Sequence, residues 1–167
     1  MATMKIAELL SAELEREAVG TRKALERVPE GRDDWKPHEK SMPLGYLASL
    51  IATMPNWVVS IATQDELDIA SGEKPDFRTN RDLLDAFDKA VARAKEALSS
   101  ATDEHLMTPW RLLVQGKEVV KDSRYVMIRD SAFNHMAHHR GQLTVYLRLN
   151  DVPVPSLYGP TADEKGF

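Results

Sequence analysis

The positions Ile6, Leu10, Leu14, Ala18, Thr21, Leu25 and Val28 recur every three or four residues, lining one face of a helix predicted from about Lys5 to Val28. A polar stretch from Pro29 to Lys40, with Gly31 and Pro37, reads as a loop in which Trp35 is a packing anchor. Ser41 as a candidate N-cap and Pro43 in the first turn announce a second helix. Leu44, Leu47, Ala48, Leu50, Ile51, Met54, Val58, Ile61 and Ala62 make this helix apolar around most of its circumference, so it is expected to be buried. Pro55 falls inside the pattern and should kink or break it, because it removes a backbone donor and crowds the carbonyl four residues back. Beyond Gln64 a charged stretch with Gly72 and Pro75 reads as a linker.

A third helix starts at Thr79 or Asn80, with Leu83, Leu84, Phe87, Ala90, Val91, Ala94 and Leu98 inward, and ends near Ser99 and Ser100. The apolar runs on either side of Gln115-Gly116 fit a small hairpin or an ordered loop. A fourth helix runs from Asp122 or Ser123 to about Leu149, roughly 40 Å at about 1.5 Å per residue. Gly141 within it suggests close packing against a neighbour, since glycine costs about 1 kcal/mol relative to alanine there. The tail from Asp151 to Phe167, with Pro153, Pro155 and Pro160, should lie extended over the surface. The pattern is that of one all-α domain spanning residues 1–167, a four-helix bundle whose long connections allow up-down-down-up as readily as alternating order.

Composition narrows the function. The 167 residues are 43% hydrophobic and 29% charged, those of an ordinary globular domain. A net charge of −4 argues against a nucleic-acid partner, whose phosphates call for clustered lysine and arginine. With no cysteine, any thiol in the chemistry must come from outside. No long apolar run or signal-like N-terminus appears, so a cytoplasmic location without membrane contact is expected.

In Asn134-His135-Met136-Ala137-His138-His139-Arg140, His135 and His139 stand four residues apart, about 40° around a helix axis, and can chelate one ion together. The alternative, that these histidines bond only to water or to backbone carbonyls, weighs about evenly. His138 points away from His139 by about 100°. His105 is read as solvated in a loop, and Asp122 and Asp130 as complements to the positive end of the fourth helix.

The run His135-Met-Ala-His-His-Arg-Gly-Gln-Leu-Thr-Val-Tyr-Leu-Arg-Leu resembles the last bundle helix of the DinB/YfiT-like superfamily, and Leu44 to Trp57 resembles its second helix. The resemblance covers most of the chain. It implies a homodimer and a divalent metal such as nickel, zinc or iron, with His135 and His139 as two of three histidine ligands. It further implies metal-assisted chemistry of a transferase or hydrolase type, with an external low-molecular-weight thiol or water as the group activated. At the first ligand position this chain carries Leu50, which has no lone pair to give. The candidate substitutes His38, Tyr46 and Thr53 are each read as structural. The expected site is therefore a depleted pair, in a metal-dependent enzyme or in a small-molecule-binding or dimeric bundle that has lost its metal.

Overall fold

The computed structural model describes residues 4–70, 72 and 74–165; the predicted tail's last two residues lie outside them. The chain runs α1 (Ile6–Leu25), α2 (Leu44–Thr53), α3 (Pro55–Thr63), β1 (Glu66–Asp68), α4 (Asn80–Ser99), α5 (Asp103–Leu106), β2 (Pro109–Val114), β3 (Lys117–Ser123), α6 (Arg124–Met127), a π-helical segment (Ile128–Asn134) and α7 (His135–Leu149). Helices dominate, and α1, α2, α3, α4 and α7 pack side by side. The bundle expectation thus holds in its coarser form, a mostly helical fold carrying a small three-stranded sheet.

Local chemistry explains most boundaries. The Thr79 hydroxyl accepts the amide of Asp82 and starts α4, and the Ser123 hydroxyl does the same for Val126 at α6. Pro55 ends α2, and α3 leaves at 41° to it. No single helix among the described residues is long and apolar enough to cross a membrane. Two buried clusters form the core. One joins Leu44, Leu47, Ile51, Phe87, Met136 and Leu147, and the other joins Leu10, Leu14, Ile61, Leu98, Trp110 and Phe133. Trp35 packs edge-on against Tyr146 at 5.5 Å, which is the anchoring its loop was expected to need.

Four expectations are corrected. The linker after Gln64 contains a strand, β1, parallel to β2, and the hairpin of β2 and β3 completes the sheet in the order β1-β2-β3. Three residues are too short to carry a period, and this strand exists because β2 lies beside it. Its Asp68 carboxylate accepts the amides of Ala70, Gln115 and Gly116, which pins the hairpin tip, and these bonds hold its pKa below the usual carboxylate value. Gln115 and Gly116, with φ of 52° and 74°, make the two-residue turn that the glycine foretold.

The fourth helix is not one α-helix, because its middle widens into the π-helical segment. Gly141 is exposed, and a Cβ there would meet nothing within 4 Å, so its cost is not repaid by a close neighbour. His105 sits in the short helix α5, half-buried, with Nε2 2.8 Å from the carbonyl of Ala62.

Candidate metal centre

The π-helical segment ends at Asn134, so His135 opens α7 and His139 follows one turn later on the same face. Their Nε2 atoms are 2.9 Å apart, with ring centroids at 4.6 Å. His139 is buried and His135 half-buried, with Trp57 of α3 edge-on to the His135 ring at 6.3 Å. Behind the pair, Nδ1 of His139 lies 2.7 Å from Gln142 Oε1. An amide oxygen only accepts, so Nδ1 carries the proton and the Nε2 lone pair of His139 faces His135. The amide nitrogen of the same Gln142 reaches His138 Nε2 at 3.1 Å. The exposed His138 is therefore joined to the pair only through Gln142.

Both members of the pair are held below the usual histidine pKa. For His135 burial is the main cause and the neighbouring His139 adds to it, against an opposing hydrogen bond to the carbonyl of Ser131. For His139 burial again leads, opposed by Gln142 and reinforced by His138. At neutral pH the two imidazoles are thus uncharged, the form in which imidazole binds metal. Two nitrogens 2.9 Å apart match adjacent ligands of one ion, each about 2.05 Å from it and about 90° apart. The donor set fits a two-nitrogen seat.

The other candidates are engaged elsewhere. The Thr53 hydroxyl donates back to the carbonyls of Ser49 and Leu50 within α2. His38 Nδ1 accepts the amide of Lys40, and the Tyr46 ring lies under Lys74 at 5.9 Å. Asp122 accepts the amide of Ser123, and Asp130 accepts Asn134 Nδ2. Leu50 is half-buried and packs against the core cluster that includes Met136 and Leu143 of α7. Among the described residues, no three His, Asp or Glu side chains gather in a metal-binding group.

Sequence reasoning missed two buried arginines. Arg140, 2% exposed, donates to Glu17 Oε2 at 2.6 Å, to Thr21 Oγ1 at 2.9 Å and to the Glu17 carbonyl at 3.1 Å. It also donates to the Tyr158 hydroxyl, which in turn donates to Glu17 and brings the tail against α1. Arg124, 4% exposed, donates to the carbonyls of Ile61 and Gln64 at the end of α3 and to Asp65 Oδ1 at 2.7 Å. Away from His135 and His139, a groove of about 530 Å³ between α3 and α4 is lined by Ala62, Ala97, Arg93, Glu96 and His105 among others. The pair itself lines none of this groove.

A model of the DinB family matches residues 4–165. The chain is 28% identical over 82 residues to the uncharacterized protein YrdA of Bacillus subtilis, a match covering 49% of this chain and 46% of that one. It therefore spans about half the length of this curated relative. Two solved structures share the fold. A DinB-like protein from Bacillus cereus has a TM-score of 0.69 at 23% identity, covering 89% of this chain and 95% of its own. The DinB-like protein YjoA from Bacillus subtilis has a TM-score of 0.69 at 18% identity, covering 89% and 97%.

Proposed function

The chain belongs to the DinB family, and from that premise we propose that His135 and His139 hold a divalent metal ion as a two-histidine centre serving transferase or hydrolase chemistry. The observation that carries the reading is the convergence of two neutral imidazoles, Nε2 to Nε2 at 2.9 Å, on one point of the fold. Two neutral rings in this contact place either the N–H of one imidazole or a cation between their facing nitrogens. A shared proton or a cation satisfies both.

A nickel, zinc or iron ion bound there would supply Lewis acidity to an oxygen or sulfur ligand, lowering the pKa of water or of an external thiol. The chain's own residues do the rest. Gln142 fixes the tautomer of His139 and so keeps Nε2 available, and Trp57 walls one side of His135. Because the cysteine-free chain offers no thiolate, a thiol reactant would be a small molecule from solution.

A second reading, a binder of small molecules without catalysis, is favoured by the groove between α3 and α4, whose volume lies in the range of small-ligand sites. The test is metal content by inductively coupled plasma mass spectrometry on untagged protein, beside the His135→Ala and His139→Ala variants. About one equivalent lost in both variants is expected. No retained metal after dialysis against nickel, zinc and iron would overturn the metal reading and leave the binder.

A further inference from the structure

The outer edge of the small sheet carries a pattern independent of the histidine pair. β3 is an edge strand, and all of Lys117 to Asp122 is exposed, with Val119 at 52% and Val120 at 45%. Such an edge offers a row of unpaired amides and carbonyls to any extended chain. Asp68 holds the turn at its start, so the edge is presented in a fixed shape.

Its sequence from Lys117 to Asp122 reads Lys-Glu-Val-Val-Lys-Asp. Laid antiparallel against itself about the centre between Val119 and Val120, Lys117 faces Asp122, Glu118 faces Lys121 and Val119 faces Val120. In a regular strand this twofold register is forbidden, because neighbouring residues alternate faces and residues 119 and 120 would lie on opposite sides. The β-bulge removes the obstacle. Leu112 pairs with Val120 and Leu113 with Glu118, leaving Val119 as the extra residue. Tracing faces through β2, Lys117, Val120 and Asp122 share the side of Trp110, Leu112 and Val114, while Glu118 and Lys121 share the side of Arg111 and Leu113. Every opposite-charge pair of the twofold register then falls on one face.

We propose that β3 pairs antiparallel with β3 of a second copy of this chain, joining two three-stranded sheets into one across a twofold axis between Val119 and Val120. Charge supports this occupant. Lys117 and Lys121 form no ion pair among the described residues, and Asp122 accepts only the amide of Ser123. Lysines on an edge discourage random strand addition, and in this register alone each meets a carboxylate. The contact is isologous, as a twofold dimer requires.

Sedimentation velocity tests it, at concentrations up to about 1 mM because a pairing of this length is at the small end of specific interfaces. Wild type is expected to pass from monomer to dimer. Lys121→Glu sets carboxylate against carboxylate twice by symmetry and should weaken association at least tenfold. Combining it with Glu118→Lys restores opposite charges, leaves residue 121 opposite Arg111 as a new partner, and should recover the dimer. Since the chain has no cysteine, oxidising a mixture of the Val119→Cys and Val120→Cys variants should give a cross-linked heterodimer. A monomer at every concentration, a dimer indifferent to Lys121→Glu, or no rescue by the double variant would each overturn the proposal, the second by placing the interface on another face.

Discussion

Two polar clusters meet on adjacent residues of α7, and they solve burial in opposite ways. Arg140 is saturated: carboxylate, hydroxyl, carbonyl and phenol surround its guanidinium, and its charge is neutralised by Glu17. His139 gives up its charge instead and faces another neutral ring. A saturated cluster has nothing left to offer a ligand, and removing one member strands the others. A pair of ring nitrogens 2.9 Å apart needs only one proton or one cation between them to be satisfied. The first kind holds α1, α7 and the tail together, and the second holds no more than two turns of α7.

The contrast is breakable. The largest effect is expected from Arg140→Met, which leaves the Glu17 carboxylate, 15% exposed, without its counter-charge. A loss of about 3–5 kcal/mol in urea unfolding follows from a broken buried pair. A loss below about 1 kcal/mol would mean the cluster is no more structural than a surface pair. Next comes Leu50→His, which adds a third imidazole if Leu50 stands at the missing ligand position. Metal affinity should rise at least tenfold, about 1.4 kcal/mol, by titration. Unchanged affinity would show that Leu50 does not face the pair.

The smallest effect concerns pH. Folded His135 and His139 have lowered pKa values, so the unfolded chain takes up protons first, near the ordinary value of about 6.5. Their contribution to stability is complete above that pH and is lost as pH falls through it. Melting temperature should drop between about pH 7.5 and 5, and less so in the His135→Ala/His139→Ala double variant. An identical drop in both would assign the acid sensitivity to other groups.

The sequence made legible what local physics determines. Apolar periodicity located α1, α2, α4 and most of the last helix, Pro55 marked the break, Thr79 the cap, and Gln115-Gly116 the turn. The four-residue spacing of His135 and His139 also foretold their convergence. What stayed hidden depends on partners distant in sequence. β1 borrows its existence from β2, and His105 finds its ring partner in the carbonyl of Ala62, 43 residues earlier. Arg140 and Arg124 drew no assignment from the sequence, because nothing near them in sequence reveals Glu17 or the end of α3. Gly141 misled for the same reason: its cost is visible locally, but the absence of a neighbour within 4 Å is not.

The π-helical segment, finally, acts as a phase shifter. Each residue of an α-helix advances about 100° around the axis, and a wider turn advances less, so everything after Asn134 is rotated as a block relative to an unbroken α-helix. The distance between the two imidazoles is written in α7, but the compass bearing on which both are aimed is written upstream, in residues 128–134, whose side chains add nothing to the donor pair. Dropping one residue from that segment would leave the spacing intact and turn the pair by about 100°, from the packed interior toward a different side of the helix.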